Sequence, residues 1–410
     1  MPGPFTIGRV SRKMPLRPAH PPLSAWRFVG LFGVISLLAD IVYEGARSIT
    51  GPLLASLGAT GLVVGVVTGI GESAALVLRL ASGPLADRTQ RFWAWAIGGY
   101  ALTLTAVPLL GTASTLWIAC ALVIAERVGK AVRSPAKDTL LSHAASVTGR
   151  GRGFAVHEAL DQIGAVLGPL TVAGVLAATG NDYRPALGVL ALPGVAALSL
   201  LVWLRFRVPE PKDYEATTAV TDEAGSESLP RKFWLYCAFV AVTMTGFATF
   251  GLLSFHLVAR GLLPAAAVPL LYAAAMGTDA LAALASGWSY DRYGAKSLAV
   301  LPILSALVAA LGFAGSIAAA AAGSLLWGAA VGIQESTVRA VVADLVPTRR
   351  RATGYGVFAA GLGVATAAGG ALAGWLYDVS TTALVTVVVA IQLTALAGLF
   401  AIRLPHPARR

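Results

Sequence analysis

The chain has 410 residues, of which 56% are hydrophobic and 12% are charged, and its formal net charge is +11. Ordinary soluble domains carry about 25% charged residues, so this composition excludes a typical soluble enzyme. Nucleic-acid binding is also excluded, because the basic residues lie in short connections between apolar runs rather than on one soluble face. The two cysteines, Cys120 and Cys237, lie inside apolar runs, which argues against a disulfide framework or a cysteine zinc site.

In chain order, a basic, proline-rich tail over residues 1–23 precedes a series of apolar runs. Twelve runs are long enough to cross a hydrocarbon core of about 30 Å, and the polar stretch 205–231 separates the sixth from the seventh. The sequence therefore predicts an all-α membrane protein with twelve transmembrane helices in two six-helix bundles, 24–204 and 232–402, followed by a tail over 403–410. The predicted spans are 28–50, 60–82, 92–111, 115–134, 153–178, 185–204, 232–258, 264–287, 296–315, 319–342, 353–378 and 382–402.

The distribution of positive charge predicts the orientation of these helices. Of the 31 Lys and Arg residues, only Arg184 and Arg260 fall in loops on the face opposite the chain termini. Because Lys and Arg concentrate in cytoplasmic loops, both termini are expected in the cytoplasm of a multi-pass protein of the plasma (inner) membrane.

An internal repeat accompanies the two bundles. The stretch GPLADRTQR begins at Gly83, and a related stretch, GWSYDRYGAK, begins 204 residues later at Gly287. These stretches resemble the Gly-x-Leu-x-Asp-Arg-x-Gly-Arg-Arg/Lys signature of the major facilitator superfamily of secondary transporters, with Gln90 in place of the second glycine. The matching residues are Gly83, Leu85, Asp87, Arg88 and Arg91 in the first copy, and Gly287, Asp291, Arg292, Gly294 and Lys296 in the second.

The resemblance implies that both stretches form a cytoplasmic gate. Asp87 could accept hydrogen bonds from the N-terminus of a neighbouring helix, while Arg88 and Arg91 could pair with acids across the bundle seam. The alternative is that these residues only end a helix at the membrane surface and satisfy the charge bias.

The fifth span contains a second motif, with Gly164, Gly168 and Pro169. It resembles the Gly-x-x-x-Gly-Pro pattern of exporters and antiporters in the same superfamily, which implies efflux. Close helix packing at the glycines and a kink at the proline explain the motif equally well.

Ionisable residues within the spans are the candidate substrate and proton-coupling groups, because each costs about 2.5–3.5 kcal/mol at a helix centre. Asp40, Glu44 and Arg47 share one helical face, and Glu72 reaches a similar depth. A proton or substrate would compete for the carboxylates, with Arg47 as the counter-charge. The alternative is a set of ion pairs that only join helices.

A second group of charges is predicted nearer the termini face, as an ion-pair network of the inner gate. Glu335 and Arg339 have the i, i+4 spacing of a helical pair. Arg127 resembles the fourth-helix arginine of proton-coupled family members, but its glycine follows two residues on rather than four. Glu158 and Asp161 are expected in the first turns of the fifth helix. The predicted network consists of Arg79, Glu126, Asp279, Glu335 and Arg339.

No phosphate-binding GxxxxGK[ST] loop and no catalytic motif occur, so neither an enzyme, a cofactor nor a metal site is expected. His157 and His256 lack ligand spacing. The sequence therefore favours a monomeric, proton-coupled exporter of a small organic molecule that works by alternating access in membrane lipid. The alternatives are uptake of an anionic metabolite, in which Arg47 or Arg127 binds the anion, and a non-transporting membrane sensor.

Overall fold

A computed structural model describes residues 23–148, 150–214, 228–346 and 350–401, which contain helices and no strand. Residues 1–22 of the predicted N-terminal tail, all of the predicted tail 403–410 and residues 215–227 of the predicted linker lie outside these ranges. The α-helices are α1 Ala25–Ser56, α2 Gly61–Val77, α3 Arg79–Thr89, α4 Phe92–Leu110, α5 Leu116–Thr148, α6 Arg150–Ala178, α7 Tyr183–Gly188, α8 Ala191–Arg207, α9 Arg231–Thr245, α10 Phe250–Ala259, α11 Val268–Tyr293, α12 Val300–Gly312, α13 Ile317–Glu335, α14 Thr337–Leu345, α15 Arg351–Val379 and α16 Thr381–Ala401.

These helices make twelve membrane passes. Ten helical stretches of the described chain are long and apolar enough to cross a membrane, and one of them, Ala265–Gly312, contains both α11 and α12. Helix α5 has 33 residues, enough for a pass, but its second half carries several charged residues. Counting α11 and α12 separately and adding α5 gives the predicted twelve.

Four of the described passes are interrupted: the second at Leu78, the sixth between α7 and α8, and also the seventh and the tenth. The seventh unwinds between Thr245 and Phe250, where Thr249 caps α10 by accepting a hydrogen bond from the Leu252 N–H. The tenth breaks at Ser336, between α13 and α14. Non-helical backbone at membrane depth is tolerated where protein covers it or where it lines a cavity. In the seventh pass, the Trp327 indole donates to the freed Ala248 carbonyl at 3.0 Å.

The two ends of the bundle differ. We call the end where α1 begins and α16 ends the termini face, and the other end the closed face. At the closed face, helices of the first six passes pack directly against helices of the last six. The contacts join α1 to α10 and α2 to α15. The membrane-spanning core is therefore sealed at this end.

Glycines allow the close approach at the closed face. A Cβ atom at Gly65 would overlap the Gly370 carbonyl oxygen and lie 2.9 Å from the Gly374 Cα, so only glycine fits between α2 and α15. The Asp378 carboxylate adds a polar link by accepting hydrogen bonds from the N–H groups of Gly61 at 2.7 Å and Leu62 at 2.8 Å. It thereby caps the N-terminus of α2 from the other half of the chain.

Two further hydrogen bonds join the halves at this end. The hydroxyls of Thr68 and Thr249 lie 2.9 Å apart, and the Ala266 N–H donates to Asn181 Oδ1 at 3.0 Å. Among the described residues, the closed face is therefore held by backbone contact and by neutral or capping hydrogen bonds rather than by ion pairs.

Candidate functional site

A cavity of about 290 Å³ lies between the two halves of the chain. Its walls come mainly from α1, α2, α5 and α6 on one side and from α11 and α13 on the other. It extends to the termini face, since its lining includes the exposed residues Glu158 and Arg339. The charged lining residues are Asp40, Glu44, Arg47, Glu72, Arg79, Lys130, Arg133, Lys137, Asp138, Glu158, Asp161, Asp279, Glu335 and Arg339.

The inner end of the cavity holds a chain of alternating charges. Arg47 Nη2 lies 2.6 Å from Glu72 Oε1, and Arg47 Nη1 lies 3.5 Å from Glu44 Oε1. Arg127 extends the chain, with Nη2 3.4 Å from Glu72 and Nε 3.1 Å from Glu126. Two guanidinium groups are thus held by three carboxylates from α1, α2 and α5.

The other half of the protein contacts this chain through aromatic residues. The Tyr272 hydroxyl of α11 donates a hydrogen bond to Glu44 Oε2. The Arg47 guanidinium lies 6.0 Å from the Trp327 ring of α13, within the range of a cation–π contact. Glu44 and Arg47 therefore contact both halves, although all their ion-pair partners belong to the first half.

Beyond the charge chain, a smaller space of about 40 Å³ continues toward the closed face. Its polar lining includes Thr50, Thr68 and Thr249 together with Arg127. The Thr68–Thr249 hydrogen bond lies at this point, so the space ends where the two halves meet.

Asp40 has a different environment from Glu44 and Glu72. It is 6% exposed and lies beside the Tyr43 side chain, one turn further along α1. The Arg133 guanidinium lies close by, between the rings of Tyr43 at 5.1 Å and Tyr100 at 4.4 Å. Within the described chain, Asp40 makes no ion pair shorter than 4.0 Å. Its carboxylate can therefore exchange a proton without breaking a salt bridge.

The sequence matches a known family along most of its length. The family model described as Major Facilitator Superfamily matches residues 32–319 and 263–410. The chain belongs to the major facilitator superfamily. An uncharacterized protein of Mycobacterium tuberculosis is 71% identical over 392 residues, which cover 95% of this chain and 96% of that protein. An uncharacterized transporter of the major facilitator type from Methanocaldococcus jannaschii is 26% identical over 362 residues, covering 86% and 89%.

Solved structures of several transporters have the same fold. A mutant of the nucleoside transporter NupG superposes with a TM-score of 0.74 at 12% identity, covering 92% of this chain and all of that chain. A peptide-bound transporter of the POT family gives 0.70 at 13%, covering 92% and 97%. A bacterial Spinster homologue in an inward-facing state gives 0.66 at 14%, covering 92% and 96%. The protein is thus a multi-pass membrane transporter of the major facilitator type.

The major facilitator signature stretches occupy equivalent helix ends. Asp87 and Arg88 lie in the last turn of α3, and Asp291 and Arg292 in the last turn of α11, so both pairs are helical rather than in loops. The residue three positions after each aspartate ends its helix with a positive φ, 54° at Gln90 and 66° at Gly294. That conformation favours glycine, which explains the second glycine of the family signature and the strain accepted at Gln90.

The charged residues of these stretches are exposed and carry no ion pair with another described residue. Arg292 instead stacks on Trp288 and Tyr293, 5.6 and 5.8 Å from their ring centres. The pairing predicted for Arg88 and Arg91 across the seam is therefore not formed in this conformation, which is open at the termini face. Neither Gly83 nor Gly287 is required by close packing, since a Cβ atom at either position would meet no atom within 3.4 Å.

The glycine-proline motif lies directly behind Asp40. A Cβ atom at Gly164 would lie 2.7 Å from the Asp40 Cβ, and one at Gly168 would lie 2.9 Å from the Gly45 amide nitrogen. Pro169 lies inside α6 and does not end it. The motif therefore sets the distance between α6 and the part of α1 that carries Asp40.

The predicted inner network is only partly paired. Glu126 pairs with Arg127, whereas Arg79, Asp279, Glu335 and Arg339 line the cavity without an ion pair among the described residues. The helical pairing predicted for Glu335 and Arg339 requires one continuous helix. The break at Ser336 separates the two residues between α13 and α14, so their i, i+4 geometry is lost.

A polar cluster on α5 and α6 flanks Asp40. His157 Nδ1 lies 3.4 Å from Asp161 Oδ2, and its Nε2 lies 2.7 Å from Ser36 Oγ. Glu158 and Asp161 lie two to three turns inside α6, because the helix begins at Arg150 rather than near residue 153. Ligand atoms of His157, Glu158 and Asp161 come within 4.8 Å of one another. The Lys137 ammonium lies 3.5 Å from His157 and 3.9 Å from Asp161, which disfavours a metal cation there.

Several residues at the site do not stand out in the sequence. Tyr272, Gln162 and Asp378 are single polar residues in apolar surroundings, and their partners come from the other half of the chain. The sequence does contain a signal for the closed face, because glycines recur there at every fourth residue, a spacing typical of close helix contacts. They are Gly61, Gly65 and Gly69 in one half and Gly370 and Gly374 in the other.

Proposed function

We propose that this transporter moves a small polar organic molecule out of the cell in exchange for protons. The cycle would rock the bundle of residues 24–204 against that of residues 232–402, exposing the cavity to each side of the plasma membrane in turn. Both termini would lie in the cytoplasm, so the present conformation would be inward-open. A charged lining in a cavity of about 290 Å³ favours a small, polar solute.

The coupling proposal rests on one observation, the lack of an ion-pair partner for Asp40 among the described residues. Glu44 and Glu72 are bound by Arg47, and Glu72 also by Arg127, so protonating either acid would leave a half-buried or buried cation less well paired. Asp40 has no such partner among the described residues and lies in the cavity wall. Of the three carboxylates, Asp40 is therefore the best suited to take up and release the coupling proton.

The position of the glycine-proline motif supports the direction of transport. Gly164 of α6 lies against Asp40, so movement of α6 would change the surroundings of this carboxylate. The motif resembles that of exporters, and its contact with Asp40 gives it a physical link to coupling.

Everted membrane vesicles test the proposal. After the vesicle interior is acidified, candidate solutes are added and proton release is followed with a pH-sensitive dye. Nucleosides, small peptides, amino acids and polyamines form the first panel, because nucleoside and peptide transporters share the fold. Export by proton exchange predicts release with at least one solute, whereas a non-transporting sensor predicts none.

The Asp40→Asn variant separates coupling from binding. It should lose pH-driven flux and retain solute counterflow, the exchange of labelled for unlabelled solute that needs no proton. Asp182→Asn, which removes an exposed carboxylate just before α7, is the control and should retain both. Full pH-driven flux in Asp40→Asn would contradict the role of this residue.

Uptake of an anionic metabolite is the second candidate. Arg127 favours it, because its Nη1 atom is buried without a hydrogen-bond partner and the residue lines the inner space. An anion bound in that space could accept a hydrogen bond from this nitrogen. Uptake predicts that a proton gradient directed into cells drives accumulation of an anion, and that Arg127→Gln abolishes it. Proton release from everted vesicles on adding a neutral or cationic solute would contradict this candidate.

A further inference from the structure

Asp279 is a buried acid that the charge chain does not use. It lies on α11 in the cavity wall and is 4% exposed, and its Oδ1 atom has no hydrogen-bond partner. Leaving a buried carboxylate oxygen unbonded is costly. Because Asp279 lines the cavity, a small rotation of its side chain would let a bound solute supply the missing donor.

The surroundings of Asp279 are rich in acceptors. Gln162 of α6 donates its side-chain amide to Asp279 Oδ2 at 3.5 Å, and the Gln162 Oε1 atom has no partner. Glu335 of α13 lines the same cavity and makes no ion pair with a described residue. Helices α11 and α13 are held close here, since a Cβ at Gly332 would lie 2.9 Å from Asp279 Oδ1.

Arg47, the cation that α1 contributes to the cavity, already has ion-pair partners. Arg47 is bound by Glu44 and Glu72, and the Tyr272 hydroxyl is directed to Glu44. Oxygen acceptors without a matching donor therefore remain around Asp279, on the side of the cavity formed by α6, α11 and α13.

We propose that Asp279, Gln162 and Glu335 form a subsite for a protonated amino group of the transported solute. An ammonium group carries several N–H donors and a positive charge, which match a buried carboxylate and a free amide oxygen. Gln162 belongs to the first half of the chain and the two acids to the second. Binding of an amine would thus bridge the seam across which the halves move.

The charge of the subsite can be measured without a known solute. In a chain carrying Cys120→Ala and Cys237→Ala, Val331→Cys places a thiol on the cavity wall, one turn before Glu335. The purified protein reacts with aminoethyl methanethiosulfonate, which is cationic, or with sulfonatoethyl methanethiosulfonate, which is anionic. The ratio of the two rates cancels changes in the reactivity of the thiol and reports the local potential.

In the parent protein, the cationic reagent should react faster than the anionic one. Asp279→Asn should lower the ratio of the cationic to the anionic rate about tenfold, the size expected for one nearby charge in a partly hydrated site. Asp182→Asn, an equal loss of charge at the closed face, should change the ratio less than about twofold. Asp279→Glu, which keeps the charge, should restore it. A ratio that Asp279→Asn leaves unchanged would overturn the proposal, and so would faster reaction with the anionic reagent. If Asp279→Asn does not fold, Glu335→Gln is expected to lower the ratio instead, and no change would again count against the subsite.

The solute preference rests on the proposed function and has its own readout. Among solutes that release protons from everted vesicles, those with an amino group should lose activity in Asp279→Asn, while analogues without it should not. If no solute releases protons but the rate ratio behaves as expected, the proposed function fails and the subsite stands. If transported solutes show no dependence on the amino group, the subsite assignment fails and the proposed function stands.

Discussion

The closed face and the cavity meet the same demand, contact between two halves of one chain, by different physical means. At the closed face, α2 and α15 touch backbone to backbone at Gly65 and Gly370, and Asp378 caps the opposing helix. In the cavity, charged side chains line both walls, and several of them lack an ion-pair partner among the described residues. Close helix packing joins the halves at the closed face, whereas charged side chains face each other across the cavity.

The difference separates two roles. Close packing is short-ranged and either fits or does not, which suits a seal that must break and re-form as a unit. Unpaired charges in a low-dielectric cavity interact strongly with any ion or polar solute that enters. The structure thus combines a packed seal with a charged cavity.

The largest effect is expected from removing the central cation of the cavity. Arg47→Gln would leave Glu44 and Glu72 without their shared counter-charge, and should lower the free energy of unfolding by about 3–5 kcal/mol. Chemical denaturation in detergent measures this. Arg184→Gln, an exposed cation in the first turn of α7 near the closed face, is the control and should change it by less than about 0.5 kcal/mol.

The double variant Arg47→Gln with Glu44→Gln checks the cause. It should be more stable than Arg47→Gln alone, because Glu44 has no other ion-pair partner among the described residues, whereas Glu72 keeps Arg127. A loss in Arg47→Gln no larger than in Arg184→Gln would show that the charge chain contributes little to stability.

A smaller loss of stability, with a clear change in conformation, is expected at the closed face. Gly65→Val places a side chain where the Gly370 carbonyl lies and should cost about 1–3 kcal/mol. The variant should also prevent sealing, so that Thr50→Cys, at the inner space, becomes reactive to an impermeant thiol reagent added outside cells.

Gly174→Val is the matched control for this change, because a Cβ at Gly174 would meet no atom within 4 Å. It adds the same side chain to a transmembrane helix without touching the seal. If both variants labelled Thr50→Cys equally, the glycine contact of α2 and α15 would not be what closes this face.

The smallest effect is expected from the cap that Asp378 provides. Asp378→Ala removes both hydrogen bonds to α2, a loss of about 1 kcal/mol, which should raise the labelling rate of Thr50→Cys about fivefold. Asp182→Ala removes a cap within one half, between Asp182 and the Arg184 N–H, and should leave labelling unchanged. Equal labelling in the two variants would mean that the cap does not hold the halves together.

Much of the fold could be predicted because it follows from local properties of the chain. Twelve apolar runs and two related stretches around Asp87 and Asp291 are enough to predict twelve passes and the family. Hydropathy predicts an end of the fourth span near residue 134, whereas α5 continues to Thr148. Charged residues such as Lys137 end a hydrophobic run without ending a helix, so hydropathy identifies the membrane segment and misses the extension.

The candidate site was predictable only in part. The shared face of Asp40, Glu44 and Arg47 follows from helical spacing, and all three line the cavity. Their different partners do not follow from spacing, because Glu72 and Arg127 come from other helices. The pairing predicted for Glu335 and Arg339 was lost to a helix break at Ser336 that no proline or glycine marks.

By itself, the sequence determined what the lipid demands: apolar helices of sufficient length, their number, and the charged residues that they nevertheless carry. Hydrophobicity and helical periodicity are properties of residues within a few helical turns, so they can be recognised in the sequence alone. The tertiary structure decided which of those charges are paired, which carboxylates remain without a partner, and which end of the bundle is sealed. Those features depend on contacts between residues hundreds of positions apart, such as Gly61 with Asp378, and only the packing of the two halves brings them together.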